Sequence, residues 1–117
     1  MKIAIVGAGK LGFKVTEALL GGDHSVTLID KNEDALNKLI SQMDIMTVHG
    51  NGKEIRILEG IGISNYDFLI ACTDSDEKNI AIACFAKKLG CTRVAARVRD
   101  PEHMNQLDFI KEAMDID

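Results

Sequence analysis

The chain opens with MKIAIVGAGKLG (residues 1–12), which combines a strand signal, a glycine motif and the start of a helix signal. Lys2–Val6 is a short, nearly continuous apolar run, typical of a parallel strand buried on both faces. The motif G-x-G-x-x-G follows directly, and the spacing of apolar residues predicts a helix over Lys10–Leu20. Glycines in this order between a strand and a helix indicate a turn that holds phosphate groups.

Strand and helix signals continue to alternate along the chain. β-rich runs recur at Ser25–Ile29, Ile45–Val48, Asp67–Ala71 and Arg93–Val98. Helices are predicted over Glu33–Ser41, Lys53–Glu59 and Asp76–Leu89, and a fifth helix should begin at Asp100-Pro101. Helices between successive strands require right-handed crossovers and a parallel sheet. We therefore predict an α/β fold, a Rossmann-like doubly wound sheet of order 3-2-1-4-5, with a ligand crevice between the first and fourth strands. A sixth strand would begin beyond the chain end.

The composition fits a single domain, residues 1–117. Hydrophobic residues make up 46% of the chain and charged residues 27%, and the net charge is -4. A mildly acidic chain with few aromatic residues disfavours nucleic-acid binding. No apolar run approaches the ~20 residues that span a bilayer, so we expect a cytoplasmic protein without direct membrane insertion. The cysteines form no CxxC pair and the histidines lie far apart, which indicates reduced thiols and no metal site.

Each glycine of the motif has a physical reason. Gly7 allows the tight turn, Gly9 lets the backbone approach a pyrophosphate, and Gly12 lets the helix pack close to the strand. Ala8 and Leu11 complete the loop. The helix that begins there would offer its free N–H groups and the positive end of its dipole to the phosphates.

Asp30 ends the second strand, 18 residues after Gly12. A carboxylate at this position can accept hydrogen bonds from both ribose hydroxyls of an adenosine and would repel a 2′-phosphate, which favours NAD(H) over NADP(H). Lys31 beside it weakens that preference. The alternative is a glycine-rich turn with Asp30 capping the second helix. Lys10 either meets a phosphate from within the loop or points to water.

Polar residues also follow the third and fourth strands, whose ends should border the same crevice. Asn51 either hydrogen-bonds an adenine edge or is a turn residue that tolerates unusual dihedral angles. Thr73 and Asp74 are placed to face the second half of a dinucleotide. The alternative is that Ser75 or Asp74 caps the next helix, with Asp76 and Glu77 favouring its dipole.

Two features leave the assembly of the domain open. Alternation in the fifth strand sends Arg97 and Arg99 to one face. Arg97 would meet a phosphate or a neighbouring subunit, unless the arginines only protect a solvated edge strand. Ile80–Ala86 is apolar all round, which indicates a buried face in an oligomer or a central helix covered by the sheet and neighbouring helices.

Several segments together resemble one known family over essentially the whole chain. They are MKIAIVGAGKLG, LIDKN, HGNG, ACTDSDEKNI and AARVRDPEH. They look like the regulatory nucleotide-binding domains of bacterial potassium uptake, the TrkA-like N-terminal family, also called RCK or KTN domains. The glycine motif is shared with many Rossmann proteins, whereas T-D-S-D-E-x-N and A-R-V-R-D-P are much more specific.

The resemblance implies a ligand-gated control module and not an enzyme. It implies binding of NAD or NADH, or of ATP/ADP in related branches, and assembly as dimers or rings beneath a membrane potassium transporter or channel, at the inner face of the cell membrane. It also implies that the chain is a fragment of a longer regulatory subunit. The absence of a nucleophile motif and of a substrate domain agrees with this. The alternative class is the cofactor-binding half of a small NAD-dependent oxidoreductase.

The resemblance also implies roles for individual residues. Residues 7–11 would cradle the phosphates and Asp30 would take the adenosine ribose. Asn51 would lie near the adenine, although many family members carry an acid there. Thr73 and Asp74 would border the distal half of the ligand, and Arg97 would lie at a phosphate or a subunit boundary. Lys10 stands where ATP-preferring relatives often carry arginine, which keeps ATP/ADP open.

Overall fold

All five apolar runs predicted as strands pair side by side in one parallel sheet. The computed structural model describes residues 1–52, 54–103 and 105. The strands are β1 (Lys2–Val6), β2 (Ser25–Asp30), β3 (Met46–His49), β4 (Phe68–Ala71) and β5 (Arg93–Ala96). The helices are α1 (Lys10–Leu20), α2 (Glu33–Ile40), α3 (Ile55–Gly60) and α4 (Asp76–Lys88), with a 3₁₀ helix at Ile63–Asn65. The order β3-β2-β1-β4-β5 confirms the predicted Rossmann-like sheet.

Both faces of the sheet are covered, which explains why the strands read as continuous apolar runs. Ile3 and Ile5 of β1 point into a core shared with α1 and α2. Ala4 and Val6 point into a second core, which includes residues of α3 and α4. The two pairs of helices therefore lie on opposite sides of the sheet, and the carboxyl ends of the strands remain between them.

The last strand is shorter than predicted. The sequence predicted a strand to Val98, but β5 ends at Ala96. Arg97 N–H still donates to the Ala71 carbonyl, at 2.8 Å, and Ala71 is the last residue of β4. Beyond this bond the strand has no ladder partner, so the alternation that would send Arg97 and Arg99 to one face ends there. Predicted and observed ends of the other elements differ by no more than two residues.

Most of the apolar run of α4 is buried within the domain. Five residues of the apolar run are buried, namely Ile80, Ile82, Ala83, Cys84 and Ala86. Ala81 and Phe85 are half-buried. Burial inside the domain accounts for the apolar run, which favours the central-helix interpretation over an oligomer face.

The segment after β5 begins the predicted fifth helix. Pro101, Glu102 and His103 are helical, and most of that helix lies outside the described residues. In the part of the chain that the structure describes, no helix has the length and apolar character needed to cross a bilayer.

Candidate functional site

The carboxyl ends of the central strands meet at one edge of the sheet. Backbone bonds continue just past the strand ends, from Gly7 N–H to the Ile29 carbonyl at 2.9 Å and from Cys72 N–H to the Val6 carbonyl at 2.9 Å. A crevice of about 560 Å³ opens here, between β1 and β4, where the chain order of the strands reverses. Its volume is in the range of small-molecule and cofactor sites, roughly 300–1,000 Å³.

Most of the predicted site residues line this crevice. They are Gly7, Gly9, Lys10, Leu11, Asp30, Lys31, Asn51, Thr73, Asp74 and Arg97. Ala8 and Gly12 are buried and are not among the lining residues. The structure therefore brings together side chains from the ends of all five strands, as the sheet order predicted.

In the glycine turn, Gly7 and Gly12 occupy positions that only glycine fits, as the sequence predicted. Gly7 has a φ of 117°, a conformation that L side chains rarely adopt. A Cβ on Gly12 would overlap the Gly7 carbonyl oxygen, so only glycine lets α1 start this close to the turn. A Cβ on Gly9 would meet nothing within 4 Å. The approach of Gly9 to a phosphate stays a prediction, and the open space beside it is compatible with that role.

The N-terminus of α1 is suited to an anion. Its N-cap residue, Gly9, provides no side-chain hydrogen bond, and its first turn holds no acidic residue. By contrast, the side chains of Asn32 and Ser75 cap α2 and α4, whose first turns each hold two acidic residues. The first N–H groups of α1 therefore receive no side-chain cap and face the crevice with the positive end of the helix dipole. The phosphates of a nucleotide fit this position.

Asp30 connects the glycine turn to β2. Its Oδ2 accepts a hydrogen bond from Ala8 N–H at 2.6 Å, and its Oδ1 accepts one from Asn32 N–H at 2.7 Å. Asn32 is the residue that caps α2, so the alternative in which Asp30 caps that helix is wrong. A carboxylate has about four lone-pair sites, so Asp30 keeps acceptor capacity for the hydroxyls of a ribose.

Positive side chains dominate the crevice. Those lining it are Lys10, Lys14, Lys31, Lys78 and Arg97, against the two carboxylates of Asp30 and Asp74. None of the five cations forms a salt bridge within the described ranges. The chain as a whole carries a net charge of -4, so the local sign is opposite to the global one. An excess of unpaired positive charge in a crevice attracts an anionic ligand.

Asn79 positions two of the predicted site residues, and sequence reasoning assigned it no role. It is fully buried. Its Oδ1 accepts hydrogen bonds from Thr73 N–H at 2.8 Å and from Thr73 Oγ1 at 2.6 Å. Its Nδ2 donates to the carbonyls of Thr73 at 3.1 Å and Arg97 at 2.9 Å. Asn79 thus ties the end of β4 to the end of β5, and its signal in the sequence was the last letter of T-D-S-D-E-x-N.

Asp76 holds the chain segment that leaves β5. Its carboxylate accepts hydrogen bonds from Arg99 N–H at 3.0 Å and from Asp100 N–H at 2.9 Å, and it lies 3.1 Å from Nδ1 of His103. The backbone donors of Asp100 and Arg99, followed by His103, lower the pKa of Asp76 to about 2. The hydrogen bond with Asp76 raises the pKa of His103.

Arg99 belongs to this anchor, formed by Asp76 and the segment 99–103 that it holds, and it does not line the crevice. Its Nη2 donates to the Asp74 carbonyl at 2.6 Å, whereas Arg97 lines the crevice. The prediction that the two arginines share a face is wrong, because β5 ends before either of them. Ser75 caps α4 as anticipated, since its Oγ accepts from Lys78 N–H at 3.3 Å.

The cysteines lie in environments that keep them protonated. Cys72 lies beneath the glycine turn, with its Sγ 3.7 Å from the Gly7 carbonyl oxygen. Burial raises the pKa of Cys72 to about 11, against the opposing effect of the Arg97 charge. Burial also raises the pKa of Cys84 and Cys91. A thiol is reactive as its thiolate, so these sites do not favour redox sensing. Within the described residues, no three His, Cys, Asp or Glu side chains are grouped to hold a metal ion.

The sheet order, the glycine turn and the acidic end of β2 define a Rossmann-like domain, and its crevice is lined by more positive than negative side chains. The sequence profile of the TrkA-N domain matches residues 3–114, and the chain belongs to that family. It is 36% identical over 115 residues to the Trk system potassium uptake protein TrkA of Vibrio alginolyticus, covering 97% of this chain and 24% of that protein. It is 32% identical over 103 residues to a Trk system potassium uptake protein TrkA homolog of Methanothermobacter thermautotrophicus, covering 88% and 48%. The chain thus spans between about a quarter and about half of these relatives.

Solved structures share the fold at lower identity. The TrkA-N domain of the inner membrane protein ybaL from Escherichia coli has a TM-score of 0.83 at 18% identity, covering 92% of this chain and 80% of that chain. The GsuK channel bound to NAD has a TM-score of 0.81 at 23% identity, with coverages of 92% and 20%. GsuK bound to ADP has a TM-score of 0.80 at 23% identity, with coverages of 92% and 28%. At these identities the likeness establishes the fold.

Proposed function

We propose that this chain is the nucleotide-binding regulatory domain of a potassium uptake system, and that its ligand is NAD or NADH. The observation that carries the proposal is the bond from Ala8 N–H to Asp30, a residue that lines the crevice. It joins the phosphate-binding turn and the ribose-binding carboxylate in one unit beside the uncapped start of α1. Family membership, relatives named as potassium uptake proteins and a neighbour bound to NAD support it.

Each predicted site residue has a role in this proposal. The phosphates bind to the glycine turn, residues 7–11, and Gly12 supports that turn from behind. Asp30 accepts the ribose hydroxyls beside Lys31, and Asn51 contacts the adenine. Thr73 and Asp74 border the second half of the ligand. Arg97, whose carbonyl is held by Asn79, supplies a positive charge to a phosphate.

The regulatory part of the proposal needs a partner and two states. We propose that the domain assembles as a homo-oligomer, a dimer or a ring, beneath a membrane potassium transporter or channel at the inner face of the membrane. A ligand shifts such an assembly only if it binds the two arrangements with different affinity. Potassium uptake by cells that express the protein carrying this domain should respond when Asp30 is replaced. Light scattering of the purified protein measures the number of copies.

Ligand binding is tested by calorimetry with NAD⁺, NADH, ATP and ADP. Loss of a charge-assisted hydrogen bond to ribose should weaken NAD⁺ binding to Asp30→Ala by roughly tenfold or more. The preference for NAD⁺ over NADP⁺ should fall as well, since the repulsion of a 2′-phosphate is lost. Asp44→Ala, an exposed aspartate outside the crevice, is the matched control. The proposal fails if none of the four nucleotides binds at millimolar concentration.

Two alternatives give different results in the same assays. The first alternative is ATP or ADP as the ligand, which the unpaired cations of the crevice and a neighbour bound to ADP support. Tighter binding of ATP and ADP than of NAD⁺ and NADH would establish that variant of the regulatory module. The second alternative is that the chain is the cofactor-binding half of a small NAD-dependent oxidoreductase, which stays a prediction. Hydride transfer catalysed by the protein would establish it.

A further inference from the structure

We infer that Lys14 and Lys78 respond to the negative charge of a ligand's phosphates, so that the site ranks the adenosine mononucleotides AMP, ADP and ATP by the number of charges on their phosphates. The inference rests on the proposed nucleotide-binding function and adds the property by which the site discriminates. Neither lysine belongs to the glycine motif, and both line the same crevice as that motif.

Lys14 reaches the crevice from α1. It lies four residues after Lys10, so the two ammonium groups project from the same face of the helix. Lys14 is exposed, and its side chain forms no ion pair within residues 1–52, 54–103 and 105. Neighbouring α1 residues such as Leu11 and Val15 pack on one side of the sheet. Lys14 therefore brings its charge to the crevice from that side.

Lys78 reaches the crevice from the opposite side. It is the third residue of α4, whose residues Ile82 and Ala86 pack in the core on the other face of the sheet. Ser75 fixes the backbone N–H of Lys78, at 3.3 Å, while the half-buried side chain forms no ion pair among the described residues. A ligand lying across the strand ends therefore meets one lysine from each layer of helices.

The positions of the two lysines separate charge selection from general binding. The uncapped start of α1 and Asp30 serve the phosphate and ribose that every adenine nucleotide has, from AMP to ATP. Additional phosphates enlarge the negative charge near the cations at the crevice walls. Since Lys14 and Lys78 have no carboxylate partner to give up, a phosphate gains the full attraction of each. Neither charge stabilises the fold through an ion pair, so its removal should alter binding and not folding.

Calorimetry with AMP, ADP and ATP tests the inference, at one ionic strength and without divalent cations. The proteins are the wild type, Lys14→Gln, Lys78→Gln and the control Lys88→Gln. Lys88 is exposed at the end of the same helix as Lys78 and lies outside the crevice. We expect wild-type affinity to rise from AMP to ATP. Each crevice variant should lose roughly tenfold for ATP, the value of one charge-assisted hydrogen bond, and much less for AMP. The losses should shrink at high salt.

Three results would overturn the inference while leaving nucleotide binding intact. They are equal wild-type affinity for AMP and ATP, equal losses for AMP and ATP in the two crevice variants, and a loss in Lys88→Gln as large as theirs. Failure of the wild type to bind AMP, ADP and ATP would overturn this inference alone, whereas failure to bind NAD⁺ and NADH as well would also overturn the proposed function. Thermal unfolding of all four proteins shows that a changed affinity does not come from a changed fold.

Discussion

Replacing Asn79 by alanine should lower stability far more than an ordinary helix substitution. The buried amide makes four hydrogen bonds, three of them to Thr73 and one to the Arg97 carbonyl. A buried hydrogen bond contributes about 1 kcal/mol net. Thr73 is half-buried, so water replaces part of what is lost. We therefore expect a loss of about 3 kcal/mol, out of a total of roughly 5–15 kcal/mol for a domain of this kind.

Urea and thermal unfolding measure this loss directly. A decrease of about 3 kcal/mol corresponds to a fall of about 10 °C in Tm for a chain of this length. Asn37→Ala is the matched control, since Asn37 is an exposed asparagine in α2 and the helix-propensity change is the same. It should change stability by less than about 0.5 kcal/mol. If Asn79→Ala and Asn37→Ala are equally stable, the hydrogen bonds of Asn79 do not hold the strand ends together.

A second substitution separates the two halves of the network. Asn79→Asp keeps acceptors for Thr73 N–H and Oγ1 but removes the two N–H donors of Asn79 Nδ2. The carbonyls of Thr73 and Arg97 then face a carboxylate oxygen. We expect it to be at least as destabilising as alanine at neutral pH. Acid should partly restore stability, because the introduced carboxyl can donate once it is protonated. Equal destabilisation at acidic and neutral pH would contradict this account.

Three further predictions concern the turn, the anchor and the thiol. Gly12→Ala should reduce Tm sharply because its Cβ would overlap a backbone carbonyl, whereas Gly9→Ala should keep Tm and weaken nucleotide binding. The raised pKa of His103 means that its contribution to stability is complete below its unfolded pKa of about 6.5 and is lost as pH rises past the folded pKa. The lowered pKa of Asp76 means that its contribution is complete above about pH 4 and is lost as pH falls towards 2. When the pH is raised from 5.5 to 8.5, the urea midpoint should therefore fall less in His103→Gln than in the wild type. Alkylation of Cys72 at about pH 8 should be slow in the folded protein and fast in urea, since its pKa is about 11.

Each of these has a result that would contradict it. For the turn, it is equal Tm values for the two glycine variants. For the anchor, it is the same pH dependence in wild type and His103→Gln, measured by the same urea titrations. For the thiol, it is rapid alkylation of Cys72 in the folded protein, as measured by mass spectrometry of the peptide that contains Cys72.

The fold could be predicted because its signals are local and repeated. Lys2–Val6 and the runs after it are apolar at nearly every position, which only a doubly covered parallel sheet explains. The end of β5 could not be predicted in the same way. Arg93–Val98 keeps its strand-like composition, but β4 stops at Ala71, and a ladder ends where its neighbour ends. The end of β5 is therefore set by its pairing with β4 and not by the sequence of Arg93–Val98 alone.

The candidate site divides along similar lines. The glycine motif and Asp30 could be placed at one crevice because motif and spacing depend on a single βαβ unit. Lys14 and Lys78 could not be placed there, because their position at one crevice depends on two helices that pack on opposite faces of the sheet. Asn79 reads as an ordinary polar residue of a helix, and its role depends on a carbonyl of Arg97, distant in sequence.

The anchor at Asp76 also bears on how the sequence can drift over evolution. Its carboxylate binds the backbone N–H groups of residues 99 and 100, which every amino acid except proline supplies. Side chains at these two positions can change without removing those bonds, whereas a change at position 76 removes both at once. Among homologues that keep this aspartate, we expect proline to be excluded from positions 99 and 100, although Pro101 follows immediately.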